Sequence, residues 1–461
     1  MLIRRKKRNP NSYFARLTLL KKLFWLYFFL LIFEGALRKW ILPQYSAPLL
    51  VVRDPVSVWI IWEAYRTRKW PTRWSLAIIF VTVLIVAVFS LQITLGTNMF
   101  LVGLYGLRSY LLPFPVMFIM GENLDKEDLQ KLGACTLFLL VPMCALSIFQ
   151  YMAPASSILN KGAYHGSSQI GYVGLRVRAS GTFSFALGLV EFVTLAGAFV
   201  FDRMIQENAR KDWLLWASGI ALILIVPTTG QRALVVQLAA IVICLAMSAT
   251  MGVSQFAKIL RIVIPISILV FAVSLSPVFQ TSMQSMRNRF VQGSVSEGGT
   301  FQATFYYRTI EPLVEALDSA SSTTNFMGIG LGRGALAVQA FLTGRPEAVT
   351  GEYEFSHEFM EMGPLAGGLF ELFKLVLLVA VFLEALSRAR QHKPLALLLF
   401  PLALATMTFG LLEEPTVQGF VVIGMAFCIA AANVSTPATV RLIPQRMQWQ
   451  QTVQRRRIQR S

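Results

Sequence analysis

The chain has 461 residues, 55% of them hydrophobic and only 14% charged, and its mean hydropathy is +0.58. A soluble domain is about a quarter charged, so this composition excludes an ordinary water-solvated protein and points to lipid as the main solvent. The formal charge of +18 would suit nucleic acid, but the basic residues alternate with hydrophobic segments, so no nucleic-acid partner is expected.

The N-terminus is basic, Arg4-Arg5-Lys6-Lys7-Arg8, and leads into an apolar run over 19–37. That run ends in Phe33-Glu34-Gly35-Ala36-Leu37-Arg38 rather than at a small-residue cleavage site, so it reads as an uncleaved first helix. A bilayer core of roughly 30 Å needs about 20 mainly apolar residues per helix. Further segments meet this description at 48–64, 75–95, 100–120, 132–152, 185–201, 213–229, 233–250, 259–278, 364–386, 395–411 and 417–434, the first of these interrupted by Arg53 and Asp54. The expected fold is an all-α polytopic membrane protein of about twelve transmembrane helices. Its parts are an N-terminal bundle over 1–278, a large loop over 279–363, further spans over 364–434 and a basic tail over 435–461. The four cysteines, Cys135, Cys144, Cys244 and Cys428, lie inside apolar runs without the spacing of a zinc site or a disulfide framework. They read as small buried hydrophobes.

Orientation follows from the asymmetry of Lys and Arg. With the N-terminus in the cytoplasm, the head, every second connection and the tail hold 28 of the 42 basic residues. The register never slips, and both ends fall on the cytoplasmic side of the membrane. The basic ends read as orientation signals that also touch anionic membrane lipids. Most of the remaining basic residues are arginines on the opposite side: Arg176, Arg178, Arg232, Arg287, Arg289, Arg308, Arg333 and Arg345. Something anionic is expected to offset their cost, and a guanidinium fork suits phosphate and is not neutralised by burial.

Two outer connections resemble a site. The first, 153–184, ends in Gly174-Leu175-Arg176-Val177-Arg178-Ala179-Ser180-Gly181-Thr182-Phe183. The second, 279–363, is too long for a structureless connection. Within it Phe301, Phe305, Tyr306, Ile310, Leu313, Val314 and Leu317 recur at helical spacing, which predicts a surface helix with Arg308 on its polar side. The run Gly328, Gly330, Gly332, Gly334 follows no predicted strand and reads as a tight turn rather than a dinucleotide loop. His357 stands beside Glu358 and Glu361 on the arginine-rich side, and an imidazole suits proton removal from a hydroxyl. Glu413, in Leu412-Glu413-Glu414-Pro415, is a rival base. Arg232 closes the turn Thr229-Gly230-Gln231-Arg232 between two segments and is a candidate aimed into the bundle.

These residues resemble the O-antigen ligase and O-antigen polymerase superfamily of bacterial envelope enzymes. Arg176 to Phe183 is similar to the family's arginine-containing stretch ahead of a span, and Thr229 to Arg232 to its turn between two spans. Gly328-Ile329-Gly330-Leu331-Gly332 followed by His357 is similar to its large periplasmic loop. The start, Phe33 to Trp40 through Arg53-Asp54-Pro55, looks like the exopolysaccharide-associated branch, and Glu358, where ligases carry Asn, Ser or Gln, favours a polymerase. The resemblance implies a glycosyltransferase-C-like enzyme that uses an undecaprenyl-diphosphate-linked oligosaccharide as donor and an acceptor glycan, with neither metal nor cofactor. A flippase and a chain-length regulator would be its partners. On that reading Arg178, Arg232 and Arg308 bind the diphosphate, with Arg176, Arg287 and Arg289 in support. His357 takes the acceptor proton, and Glu358 or Glu361 orients it. The alternatives are ligase-type transfer to another acceptor and a lipid-linked glycan transporter or flippase, for which Arg53, Asp54 and Arg108 would supply charges within the spans.

Overall fold

A computed structural model describes residues 13–163, 172–173, 176–206, 211–250, 326–335 and 354–433, with isolated positions between 280 and 338. The principal helices are α1 (Leu19–Ala36), α2 (Asp54–Arg66), α3 (Ser75–Thr94), α4 (Phe100–Leu111), α5 (Pro113–Asn123) and α6 (Lys126–Met152). They continue with α7 (Ala186–Ile205), α8 (Trp213–Thr229), α9 (Arg232–Thr250), α10 (Glu354–Ala389), α11 (Leu395–Phe409) and α12 (Pro415–Asn433). Local chemistry sets several ends. Asp125 caps α6 in a reciprocal pair with Asp128, and the Asp212 carboxylate accepts from the N–H groups of Leu214 and Leu215 at the start of α8. Gly230, at φ 58°, closes α8 in the left-handed region that favours glycine.

The chain is a helical protein with five helices, among the described residues, long and apolar enough to cross a membrane: Thr72–Thr94, Phe100–Asn123, Lys126–Met152, Arg232–Thr250 and Pro415–Asn433. Trp213–Thr229 and Leu395–Phe409 are apolar but shorter. The other expected segments depart for visible reasons. The segment at 48–64 is not one helix: α2 begins at Asp54 and its 13 residues extend only about 20 Å at 1.5 Å per residue. Charges interrupt α1 at Lys21, Lys22 and Glu34 and α7 at Glu191, Asp202 and Arg203. The segment at 259–278, the surface helix at 301–317 save isolated positions, and the basic tail lie outside the described residues. One element departs from an all-α fold. Strands β1 (Tyr172–Val173) and β2 (Arg176–Val177) pair antiparallel, Tyr172 opposite Val177 and Val173 opposite Arg176.

Among the described residues one continuous core runs from Leu17 to Ala432. Helix α12 is buried along its whole described length and packs on α5, α7 and α11. Small residues permit the close approach: Gly121 of α5 lies against Ile429, and Gly424 of α12 against Leu402 and Ala403. The outer faces are apolar instead of polar. Leu365, Leu369, Leu372, Leu375, Val376, Val379 and Leu383 form an exposed stripe on α10, and Leu76, Ile79, Phe80 and Val83 do so on α3. Exposed stripes of this kind fit a hydrocarbon solvent. Of the cysteines, Cys144, Cys244 and Cys428 are buried and Cys135 is half-buried, all as free thiols.

A close backbone contact ties the first helix to the connection before α7. A Cβ on Gly35 would sit 2.5 Å from the Ser184 nitrogen and 2.6 Å from the Phe183 carbonyl carbon, so nothing larger than hydrogen fits without a backbone shift. Gly35→Val is expected to destabilise the protein by about 1–3 kcal/mol or more, read as a lowered melting temperature in detergent.

Candidate active site: a buried polar cluster at one end of the bundle

Charges at the two ends of the bundle are treated differently. At one end the pairs are at least partly open to solvent, as in Arg16 with Glu127, Arg73 with Glu384 and Arg203 with Asp212. At the other end Glu34, Arg38, Lys39, Arg53, His357, Glu358, Glu361 and Glu413 are each no more than 5% exposed. Burying charge without pairing is expensive, so the geometry of this second end needs its own account.

It starts with a break in α10. Gly363 has φ 79° and ψ 169°, outside any helical region. The Glu358 carboxylate nevertheless lies 2.6 Å from the Lys374 ammonium, sixteen residues further on. A straight helix would separate those Cα atoms by about 24 Å, beyond the reach of the two side chains. The segment before Gly363 therefore folds back on the one after it, and a Cβ on Gly367 would lie 3.0 Å from the Phe359 Cα. Lys374 also contacts Glu371 at 3.0 Å. Glu358 is thus held within this ion group through Lys374.

The fold-back presents Glu361 to the glycine run, which is a tight turn as the sequence suggests. Gly328, Gly330 and Gly332 all have positive φ. Two backbone N–H groups then point at one carboxyl: Gly332 donates to Glu361 Oε2 at 2.9 Å and Gly334 to Oε1 at 2.5 Å. Tyr110 donates its hydroxyl to Oε2 at 3.1 Å. Gln92 locks the turn from α3, donating to the carbonyls of Met327 and Glu361 at 2.8 and 2.7 Å and accepting from the Leu331 N–H at 2.9 Å. Asn98 donates to the Leu331 carbonyl at 2.9 Å.

Three titratable side chains converge beside this turn. A Cβ placed on Gly334 would lie 2.6 Å from His357 Nδ1, 3.0 Å from Glu361 Oε1 and 3.2 Å from Glu413 Oε2. His357 Nδ1 and Glu413 Oε2 are 3.9 Å apart. Burial, then the Glu413 carboxyl, pushes Glu361 well above the usual carboxylate range. Burial lifts Glu413 to about 7, opposed by a hydrogen bond from Glu361. Neither Glu413 oxygen has a hydrogen-bond donor from any other described residue, and each carboxyl shifts the titration of the other. Such a pair titrates as a unit and sits, with the imidazole, where general acid–base chemistry near neutrality is possible.

Cations surround this group. Arg53 binds Glu34 at 3.0 Å and also the Pro415 carbonyl ahead of α12. One nitrogen of Arg108 contacts both oxygens of Asp54 at 3.1 and 2.9 Å, and its guanidinium stacks on Tyr105, whose hydroxyl donates to the Glu413 carbonyl. Arg38 donates to the Ser46 carbonyl and the Ser184 hydroxyl at 3.0 and 2.9 Å. Glu414, pushed up to about 7 by burial, feels the charges of Arg38, Glu34 and His357. Arg178 is half-buried with no hydrogen-bond partner for Nε. Burial, then the nearby Arg232 guanidinium, pulls it below the ordinary arginine value. Guanidinium groups suit phosphate, which makes the pair a candidate for binding an anion.

Of the residues expected from the sequence, the structure brings together His357, Glu361 and Glu413, and brings Arg178 near Arg232. Arg287 is helical and exposed. Only the backbone of Arg176 is described, in β2, and Arg289 and Arg308 lie outside the described residues. Gln92, Asn98, Tyr110 and Lys374 are neighbours of the cluster that the sequence reading did not single out as site residues. The available signal was a polar side chain at the end of, or within, an otherwise apolar segment. No protein-family model matches this chain, and no curated protein matches it.

Replacing Glu361 by Ala leaves the N–H groups of Gly332 and Gly334 and the Tyr110 hydroxyl without their acceptor. The expected loss is at least about 1–3 kcal/mol, with Glu361→Gln milder, checked by thermal unfolding in detergent. Because burial raises Glu413, its contribution to stability is complete below the unfolded value near 4.5 and disappears as pH rises through about 7. Wild-type stability should therefore fall relative to Glu413→Gln between about pH 4.5 and 7, by at most about 1.4 kcal/mol per pH unit, and level off above.

Proposed function

We propose that the chain is a polysaccharide polymerase of the bacterial inner membrane, transferring undecaprenyl-diphosphate-linked glycan repeat units to an acceptor glycan hydroxyl at the periplasmic face. The observation that carries this reading is the convergence of His357, Glu361 and Glu413 on Gly334, within a buried end of the bundle that also holds the Arg178 and Arg232 cations. Acid–base groups and guanidinium groups on one side of an apolar bundle suit a donor whose lipid stays in the membrane and whose diphosphate stands at the interface. The fold-level expectation of about twelve spans, with a large outer loop and both termini cytoplasmic, belongs to the same proposal.

In the reaction, the acceptor oxygen attacks the anomeric carbon of the donor sugar. The bond from that carbon to the diphosphate oxygen breaks, and the electron pair leaves on the lipid diphosphate. The acceptor proton passes to His357, which Glu413 faces at 3.9 Å and can stabilise as an imidazolium. Glu361, fixed by the glycine turn, stands beside Glu413 at Gly334 and completes the acid–base group. Arg178 and Arg232 bind the diphosphate and oppose the charge that develops as it leaves. Arg308, Arg176, Arg287 and Arg289 are the further donor-binding arginines. Arg53, Asp54 and Arg108, the charges that a translocation path would use, are tied into ion pairs instead. That favours chemistry over transport.

Purified protein supplied with lipid-linked repeat units in detergent should lengthen the glycan. Arg178→Ala, Arg232→Ala and His357→Ala are each expected to lower the rate by about 100-fold or more. Arg178→Lys should already be impaired, because a point charge does not reproduce the planar fork. Undiminished polymerisation by all three alanine variants would falsify the assignment.

A further inference from the structure

Lys39 is 1% exposed, and among the described residues it has no carboxylate partner. Its ammonium instead spends all its donors on one short segment. It donates to the Ser180 hydroxyl at 2.8 Å, the Gly181 carbonyl at 2.9 Å and the Phe183 carbonyl at 2.7 Å. An ammonium has three N–H groups, so its capacity is filled by the turn that follows Arg178.

The same turn is gripped from two other directions. Gln150 of α6 accepts from the N–H groups of Ser180 and Gly181 at 3.1 and 2.8 Å and returns a bond to the Gly181 carbonyl at 3.1 Å. Thr182 donates to the Ile32 carbonyl of α1 at 2.6 Å. Gly181 stands at φ 57°, so the chain reverses sharply here, and Phe183 is sealed between Phe192 and Phe420. Arg178 lies two residues upstream, with its Nε atom buried and without a protein acceptor. A charged donor in a dry site makes stronger bonds than a neutral one.

We infer that Lys39 is a positioning residue: through Ser180, Gly181 and Phe183 it fixes the turn that aims Arg178 at the diphosphate of the lipid-linked donor. The inference rests on the proposed donor site but concerns a residue that never touches the donor. An apolar side chain of similar length would remove the lysine's bonds to Ser180, Gly181 and Phe183 and let the turn, and Arg178 with it, relax.

A double-mutant cycle on the full chain in detergent tests this, with farnesyl diphosphate as the binding probe and inorganic pyrophosphate as the lipid-free control, both measured calorimetrically. Arg178→Ala and Lys39→Met should each weaken farnesyl diphosphate binding by about tenfold or more. The double variant should be no weaker than Arg178→Ala, because Lys39 acts only through that arginine. Ser180→Ala, which trims the same contact from the other side and leaves Lys39 in place, should show a smaller loss in the same direction. Pyrophosphate should show the same non-additivity at lower affinity. Additive losses, or unchanged affinity in both Lys39→Met and Ser180→Ala, overturn the inference while leaving the donor site standing. Failure of the wild type to bind either diphosphate overturns both.

Discussion

The polar end of this protein depends on the reversal at Gly363. A positive φ there folds the first part of α10 back on the second, which brings Glu358 to Lys374 and turns Glu361 toward the glycine run. With a side chain at Gly363 the Phe326 carbonyl would be struck and the reversal lost. Everything that gives the end its chemistry then follows from satisfying buried charge. Backbone N–H groups take one face of Glu361, Tyr110 takes another, and Glu413 and His357 are left facing each other across the Cα of Gly334.

Lipid as a solvent explains why this end is so heavily networked. Along the middle of the bundle α12 meets only apolar and small neighbours, and the outer faces of α3 and α10 offer leucine and valine. Water is not there to pair stray donors and acceptors, so a charge that must be kept has to be paired inside the protein. Arg53 with Glu34 and Arg108 with Asp54 follow that rule. Arg178 departs from it, with Arg232 as its electrostatic neighbour and Nε without an acceptor. In the proposed reaction this pair is where the donor's diphosphate binds.

Much of the helical layout was legible in the sequence because hydrophobic runs of span length have few other readings, and Asp125, Asp212 and Gly230 mark helix ends by their own chemistry. The glycine run was legible as a turn for a similar reason: alternating glycines without a preceding strand favour positive φ over a nucleotide loop. The partners within the site were not legible. Glu358 and Glu361 stand three residues apart on one short helix, yet one meets Lys374 and the other meets Gly332 and Gly334. Only the three-dimensional reversal separates them. Lys39 was equally opaque, since its contacts lie more than 140 residues away in the chain. The short hairpin at Tyr172–Val173 and Arg176–Val177 carries no strand pattern long enough to read.

The central claim is that the buried polar end faces away from the cytoplasm, where a lipid-linked donor waits. Single cysteines at two exposed positions in a cysteine-free background test it directly. Position 161 belongs to the polar end, since its neighbour Ala163 accepts from Ser46 beside Arg38, and position 392 lies in the turn between α10 and α11 at the opposite end. A membrane-impermeant maleimide applied to intact spheroplasts should label Lys161→Cys at once and His392→Cys only after permeabilisation. The reverse pattern would put the arginines and His357 in the cytoplasm and contradict the account.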